Sequence, residues 1–307
     1  YGGAGDDTLN GNADLDTMIG GDGNDTYFVN HINDVVTESS SSGGTDLIRS
    51  TVSYTASNYV ENLTLEGTGS INAIGNNLDN ILIGNSKANT LTGNGGNDTI
   101  NGGAGVDNML GGDGDDIYIV DHSSDSITEG SGSWSGTDTV HSSATSFTLS
   151  SNVENLKLTG SSDIDATGND SANRLTGNSG ANTLTGNGGN DILNGGSGDD
   201  ILNGGDDKDT VVFSNAANQV DLRISVAQNT GDGNDTLTTI ENVNAGGGDD
   251  TVYGNNEANV LRGQGGVDTL YGNGGNDILN GGAGADNMLG GDGNDIYIVD
   301  NTSDSIT

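Results

Sequence analysis

Residues 93 to 119 read GNGGNDTIN GGAGVDNML GGDGDDIYI, which is one nine-residue unit repeated three times. The unit has the form G-G-x-G-x-D-x-U-x, where U is an apolar residue or tyrosine. Nineteen copies in register occupy more than half of the chain, in four blocks at residues 2–28, 75–119, 168–212 and 245–298. A repeat this regular predicts a protein that stacks one structural unit many times.

The sixth position of the unit is always Asp or Asn. Carboxylate oxygens are ligands that hard cations prefer, so we predict that the aspartates bind metal. These are Asp7, Asp16, Asp25, Asp98, Asp107, Asp116, Asp191, Asp200, Asp209, Asp250, Asp268, Asp277, Asp286 and Asp295. The Asn units, which open the second, third and fourth blocks, carry Asn80, Asn89, Asn173, Asn182 and Asn259. Either these amides form a hydrogen-bonded ladder that needs no metal, or they are random replacements of Asp.

The chain is strongly acidic. Its 45 Asp and Glu residues against 7 Lys and Arg give a formal net charge of -38, and carboxylates at that density repel one another unless cations lie among them. Nucleic acid is excluded as a partner because the chain lacks a basic face. With no Cys and only 3 His, the ligand set favours calcium over zinc or copper. The alternative is a solvated acidic surface or a disordered chain, but the eighth position is apolar or Tyr in every unit.

The spacing within a unit predicts its fold. The first six residues contain the glycines of a tight turn, and the last three, such as Thr183-Leu184-Thr185, alternate as a short strand does. Two units then form one coil with a strand on each side, so that Asp98 lies above Asp116 at a strand separation of about 4.8 Å. We therefore predict an all-β protein, a right-handed parallel β-roll or β-solenoid with a structural cation between stacked carboxylates. Because each coil buries few apolar side chains, we expect folding to require the metal.

Inserts of a second kind interrupt the blocks. They are residues 29–74, 120–167, 213–244 and 299–307. The first two are copies of each other, which gives the chain a longer period of about 91 residues. Alternating leucines, as in residues 60–65, predict strands, so we interpret the inserts as wider turns of one continuous solenoid over residues 1–307. A separate globular domain is the alternative, and the segments Ser39–Ser42 and Gly130–Gly136 predict exposed loops.

The sequence contains no recognisable catalytic motif. His31, His122 and His141 are the only histidines, and none belongs to an H-E-x-x-H motif. There is also no G-x-S-x-G motif and no Cys nucleophile. Glu61 and Glu154, each in V-E-N-L, are the best candidates for a catalytic carboxylate, but a Glu that hydrogen-bonds a turn or binds additional calcium is the simpler interpretation. We therefore predict no catalytic residues and no enzyme activity.

Three further features bear on partners and extent. No apolar run approaches the eighteen or so residues of a membrane span. Trp134 is the only tryptophan, and it is interpreted either as a platform that stacks on a sugar or, preferably, as a plug over an insert strand. Tyr1 falls on a ninth position and Thr307 lies inside a third copy of the insert, so we expect a longer array.

The strings GGAGVD at Gly102–Asp107 and GGSGDD at Gly195–Asp200 resemble the calcium-binding nonapeptide of secreted RTX (repeats-in-toxin) proteins. The resemblance implies several bound Ca²⁺ ions and export from bacteria through a one-step channel that reads a C-terminal signal. It also implies one of two settings. The chain is either an extracellular structural or adhesive protein, or the calcium-binding C-terminal module of a secreted protease, lipase or alginate epimerase.

We favour the first setting, a secreted solenoid at the bacterial cell surface, because the longer period extends along the chain. Such a protein would stay unfolded at low calcium inside the cell and fold on meeting calcium outside. Calcium between acidic surfaces would then promote end-to-end or lateral self-association. A cell-surface polysaccharide is a further expected partner.

Overall fold

The computed structural model describes residues 1–38, 44–132 and 134–307, so the serine run lies outside the described residues. Within these ranges the chain consists of β-strands and turns and contains no helix. No helix in the described part is therefore long and apolar enough to cross a membrane. The chain divides into two compact units, which are Tyr1–Ala144 with Ser150–Asn155, and Thr145–Leu149 with Leu156–Thr307.

The first unit is built from short strands that face each other across a flattened coil. They are β1 (Gly3–Ala4), β2 (Thr8–Asn10), β3 (Thr17–Ile19), β4 (Gly21–Asp22), β5 (Thr26–Val29), β6 (Val35–Thr37), β7 (Leu47–Ser50), β8 (Tyr54–Thr55), β9 (Asn62–Leu65), β10 (Ala73–Ile74), β11 (Ile81–Ile83), β12 (Thr90–Gly95), β13 (Thr99–Asn101), β14 (Asn108–Asp113), β15 (Ile117–Val120), β16 (Ser126–Thr128) and β17 (Thr139–Ser142). One side is the sheet β2-β5-β7-β9-β11-β13-β15-β17, and the other consists of β8-β10-β12-β14-β16 with the pairs β1-β4 and β3-β6.

The second unit repeats this arrangement. After β18 (Ser146–Thr148) and β19 (Asn155–Leu158), its strands are β20 (Asp165–Thr167), β21 (Arg174–Thr176), β22 (Thr183–Asn187), β23 (Ile192–Asn194), β24 (Ile201–Gly205), β25 (Thr210–Val212), β26 (Gln219–Asp221), β27 (Gln228–Asn229), β28 (Asn234–Thr238), β29 (Asn242–Asn244), β30 (Thr251–Tyr253), β31 (Val260–Gly265), β32 (Thr269–Gly274), β33 (Ile278–Ala283), β34 (Asn287–Asp292), β35 (Ile296–Ile298) and β36 (Ser305–Ile306). One side is β21-β23-β25-β29-β31-β33-β35, and the other consists of β18-β20-β22-β24-β28-β27 and β26-β30-β32-β34-β36.

The register of the strands follows the nonapeptide. Ile81 of β11 lies opposite Thr99 of β13, and Thr90 of β12 lies opposite Asn108 of β14. Each nine-residue repeat therefore stacks on the repeat two further along in the sequence. The pairs are parallel, and the only antiparallel pair among the described strands joins β27 to β28. The predicted all-β solenoid of stacked parallel strands is confirmed.

The eighth position of the repeat forms the core in every copy except the first and the last, where Leu9 and Tyr297 are partly exposed. Leu82, Leu91 and Ile100 are 0 % exposed, and the residues on either side of each are at least partly exposed. Burying one such side chain contributes about 1.5–3 kcal/mol, whereas ordering the backbone of nine residues costs about 1–2 kcal/mol for each residue. Apolar burial is therefore too small to hold a coil together by itself.

The inserts continue the sheets of the repeats. Strands β7 and β9 lie between β5 and β11, and β29 lies between β25 and β31. Within a block, acids that stack in neighbouring coils are 18 residues apart in the sequence. Where an insert intervenes, the separation is 21 residues from Asp25 to Asp46 and 35 residues from Asp200 to Asp235. The prediction of wider insert turns is confirmed at these positions. Two insert coils are shorter than a repeat coil, at 15 residues from Asp46 to Glu61 and 16 residues from Asp138 to Glu154.

Candidate metal centre

The carboxylates of the sixth-position aspartates form a hydrogen-bonded ladder. The backbone N–H of Asp98 donates to Asp116 Oδ1 at 2.7 Å, and that of Asp268 donates to Asp286 Oδ1 at 2.8 Å. Each Asp lies at the turn-to-strand junction of its repeat, so from Asp25 onward the stacking of the strands brings such a carboxylate to the N–H of the Asp or Asn one coil earlier. The predicted position of Asp98 over Asp116 is confirmed.

The second oxygen of almost every one of these carboxylates is buried without a hydrogen-bond partner. Among the described residues these atoms are Oδ2 of Asp7, Asp16, Asp25, Asp98, Asp107, Asp116, Asp191, Asp200, Asp209, Asp250, Asp268, Asp277 and Asp286. Of the fourteen predicted ligands only Asp295 is missing from this set, and its side chain is partly exposed. A buried carboxylate oxygen without a partner is costly, and a repeated series of them indicates a cation.

The first glycine of the unit makes room for this oxygen. A Cβ at Gly93 would collide with Asp98 Oδ2, and a Cβ at Gly102 would lie 2.7 Å from Asp107 Oδ2. The first Gly is therefore required by the close approach of the carboxylate. The second position of the repeat requires glycine for a different reason. Gly112, for example, has a φ of 116°, a backbone conformation that residues with a side chain rarely adopt.

Burial changes the acidity of the ladder. Desolvation raises the pKa of Asp98 to about 7, against the opposing effect of the Asn80 N–H, and the charge of Asp116 raises it further. Desolvation likewise raises the pKa of Asp191 to about 7 and that of Asp107 to about 6. Burial therefore disfavours the charged form of these carboxyl groups, a cost that a bound cation would offset, and oxygen donors of this kind fit calcium.

The Asn units satisfy the same position without charge. Asn89 Oδ1 accepts from the N–H of Asn85 at 2.8 Å, and its Nδ2 donates to the carbonyl of Ile71 in the coil before. Asn259 Nδ2 donates to the carbonyl of Glu241 at 2.8 Å in the same way. Among the described residues, none of the five sixth-position amides has a buried atom without a partner. The hydrogen-bonded ladder expected for the Asn turns is therefore present.

The ladder continues through the inserts, which sequence reasoning missed. The N–H of Asp25 donates to Asp46 Oδ1 at 2.8 Å, and the N–H of Asp200 donates to Asp235 Oδ1 at 2.8 Å. Further insert carboxylates in this role are Asp34, Asp125, Asp138, Glu241 and Asp304. All of these acids except Asp235, which lies inside β28, come directly before a strand, and in every case the second residue after the acid is apolar, as in Asp46-Leu47-Ile48. That shorter pattern is the signal that could have found them.

The two glutamates considered for catalysis occupy this same position. Glu61 Oε2 accepts from the N–H of Asp46 at 2.9 Å, and Glu154 Oε2 accepts from the N–H of Asp138 at 2.8 Å. The interpretation of both as residues that hydrogen-bond a turn is confirmed.

The remaining candidate residues lie on the surface. The Nδ1 atom of His31 accepts from the N–H of Asn33, and His122 makes the equivalent bond, so both lie in exposed turns of the inserts. Trp134 is 78 % exposed. The preferred interpretation of Trp134 as a plug over a strand is therefore wrong, because a plug would be buried against the strand that it covers.

The comparison with protein families agrees with this geometry. The model of the RTX calcium-binding nonapeptide repeat matches residues 1–29, 74–109, 83–118, 167–202, 176–211, 189–219, 244–279 and 262–297. No curated protein matches the chain. The matched segments cover more than half of the sequence and contain the sixth-position carboxylates described above. The chain belongs to the family of proteins with RTX calcium-binding nonapeptide repeats.

Proposed function

We propose that this chain is a calcium-dependent structural or adhesive β-solenoid that acts outside the cell and is not an enzyme. Calcium bound by the sixth-position aspartates would complete the fold, and the folded solenoid itself would be the functional product. The series of buried, unpartnered Oδ2 atoms in both units carries the proposal.

These oxygens support coupled binding and folding. Asp98, Asp191 and Asp268 are each at most 1 % exposed, and one oxygen of each has no donor. A divalent cation would partner these oxygens and screen the repulsion of a chain with a net charge of -38. Because apolar burial does not offset the ordering entropy, metal binding supplies the missing free energy. Such a chain stays unfolded at low calcium and folds where calcium is abundant, which favours one-way export.

Two observations support a structural role over a catalytic one. The insert strands join the same sheets as the repeats, as β7 and β9 do. In addition, Glu61 and Glu154 hold turns through backbone N–H groups. Exposed carboxylates, such as those of Asp113 and Asp115, are available for calcium shared between neighbouring molecules. The alternative is a calcium-binding module of a secreted enzyme, and the nonapeptides are common to both.

Calcium titration tests the coupling. In millimolar calcium we expect β-structure by circular dichroism and a large decrease in the radius of gyration by small-angle scattering, both reversed by a chelator. Site affinities should be weak, about 10⁻⁴ to 10⁻³ M, as in extracellular modules, and cooperative between neighbouring coils. A radius that does not change with calcium would contradict the coupling.

Electron microscopy and light scattering of the full-length protein test the structural role. We expect assemblies that form in millimolar calcium and dissociate in chelator. A monomer that turns over a peptide, lipid or polysaccharide substrate would favour the enzyme-module alternative instead.

A further inference from the structure

Two groups of three carboxylates stand apart from the single carboxylates of the repeat turns. The first triad is Asp25, Glu38 and Asp46, and the second triad is Asp116, Glu129 and Asp138. In each triad, one oxygen of each residue lies within 4.8 Å of the others. All six residues are buried, with exposures of at most 8 %.

Each triad combines one repeat residue with two insert residues. In the first, Asp25 comes directly before β5, Glu38 follows β6 and Asp46 comes directly before β7. The N–H of Asp25 donates to Asp46 Oδ1 at 2.8 Å, and the Tyr27 hydroxyl donates to Glu38 Oε1. Asp98, a repeat aspartate within a block, belongs to no such group of three among the described residues, and no Glu or Tyr oxygen lies beside its Oδ2 at Gly93.

The second triad has the same construction. The N–H of Asp116 donates to Asp138 Oδ1 at 2.8 Å, and the Tyr118 hydroxyl donates to Glu129 Oε1. A Cβ at Gly111 would collide with Asp116 Oδ2 and the Tyr118 hydroxyl, so glycine leaves space where these oxygens meet. The arrangement therefore occurs twice, 91 residues apart for the first Asp and the Glu and 92 residues apart for the second Asp.

The hydrogen bonds leave several triad oxygens without a donor. In the first triad these are Asp25 Oδ2, Glu38 Oε2 and Asp46 Oδ2. In the second they are Asp116 Oδ2 and Asp138 Oδ2. Three carboxylates this close and this buried repel one another strongly when ionised. Among the described residues, no Lys or Arg forms an ion pair with a triad carboxylate.

We propose that each triad binds one calcium ion at a site that the nonapeptide motif does not encode by itself. Three carboxylates give each site more negative charge than the two stacked Asp carboxylates of neighbouring repeat turns, and affinity for calcium rises with the number of charged ligands. The triad ions are therefore the first two to bind. Each ion fastens an insert, through its Glu and its second Asp, to the repeat that precedes it. This proposal does not depend on a structural or adhesive role.

Calcium competition against a chromophoric chelator, with ion counting by native mass spectrometry, tests the sites in the whole 307-residue chain. We expect a tight class of two ions in the unaltered chain. Glu38→Gln and Glu129→Gln should each weaken one ion of that class by about tenfold or more, and together they should weaken both. A Glu66→Gln/Glu257→Gln double variant is the charge-matched control, because both of those side chains reach solvent, and it should keep the tight class.

Two results would overturn the proposal. One is an unaltered chain whose ions all bind in a single weak class. The other is a folded Glu38→Gln/Glu129→Gln variant that retains both tight ions, which would show that these ions bind outside the triads.

A lanthanide measurement decides the case if the Gln variants fail to fold. Tb³⁺ is a hard trivalent substitute for calcium, and its emission is sensitised by a phenol ring close to the ion. The first two equivalents added to the unaltered chain should show tyrosine-sensitised emission. Tyr27→Phe with Tyr118→Phe should lose most of that emission while still binding the two equivalents. Emission that is absent at two equivalents, or unchanged in the Phe variant, contradicts the assignment.

Discussion

Asp200 and Asn182 occupy the sixth position of the repeat in consecutive coils, and their buried side chains differ in their hydrogen-bond partners. Asp200 accepts the N–H of Asn182 through Oδ1 at 2.8 Å and leaves Oδ2 buried without a donor. Asn182 accepts the N–H of Asn178 at 2.8 Å through Oδ1 and donates through Nδ2 to the carbonyl of Ile164 at 2.8 Å. The side-chain N–H of Asn182 therefore has a hydrogen-bond acceptor within the protein, whereas the second oxygen of Asp200 has no donor and needs a cation. The comparison predicts that only the Asp turns depend on calcium.

The largest effect should come from deleting the carboxylate. In saturating calcium, Asp107→Ala should remove one bound ion and leave the N–H of Asn89 without its acceptor, and we expect a loss of about 3–5 kcal/mol of stability. Asn182→Ala should cost about 1–3 kcal/mol, because it leaves the Ile164 carbonyl without its donor, and should leave the number of ions unchanged. Thermal melting and native mass spectrometry measure the two quantities. Equal ion loss in both variants would show that Asn turns bind calcium too.

A smaller effect should follow from occupying the space beside the carboxylate. Gly93→Ala places a Cβ against Asp98 Oδ2 and should cost about 1–3 kcal/mol, together with weaker calcium binding. Gly95→Ala is the matched control, because its Cβ would meet no atom closer than 3.8 Å. We expect the melting temperature and the calcium midpoint of Gly95→Ala to stay close to those of the unaltered chain. Similar losses in both variants would argue against a carboxylate held tightly next to the first Gly.

Isosteric exchange should change the calcium dependence more than the stability. Asp200→Asn should lower the ion count by one and shift the calcium midpoint of folding downward, since one buried charge no longer needs a cation. Asn182→Asp should shift the midpoint upward, because a buried carboxylate replaces the amide that donates to Ile164. Each change should be worth about 1–2 kcal/mol, measured as the calcium midpoint in circular dichroism. Midpoints that move in the same direction for both variants would contradict the comparison.

The nonapeptide predicted the strand period, the stacking of Asp98 on Asp116 and the buried eighth position, because these depend only on spacing. It did not predict Asp46, Asp138 or Glu241, since these acids lack the Gly-Gly that opens the nonapeptide, although Gly44 and Gly136 occupy its fourth position before Asp46 and Asp138. In the structure the position before a strand defines the ladder, and the glycines matter where a carboxylate approaches the backbone. Spacing alone could not locate the cation sites, because these depend on which buried oxygens lack a donor once the coils are stacked.

The smallest expected effect is that of protons in place of calcium. The pKa of Asp98 is raised from 3.8 to about 7 in the folded chain, mainly because burial disfavours its charged form. The folded, metal-free state therefore holds this proton more tightly than the unfolded state, so its stabilising contribution is complete below about pH 3.8 and is lost as the pH rises through about 7. Asp250 and Asp268, each with a pKa raised to about 6, act in the same direction. The neutral amides of the Asn turns contribute nothing to this dependence.

Acidification of the metal-free chain should thus recover part of the β-structure that calcium restores. We expect the circular dichroism signal to increase from pH 7 to pH 4 and to stay below the signal in calcium, because a proton neutralises an oxygen without bridging two coils. Asp98→Asn with Asp191→Asn removes two of the groups with a pKa near 7, so this variant should recover less signal between pH 7 and pH 5. Asn89→Asp should recover more. A metal-free chain whose signal is constant from pH 7 to pH 4 would show that neutralising the carboxylates is not enough, and that calcium acts chiefly by joining one coil to the next.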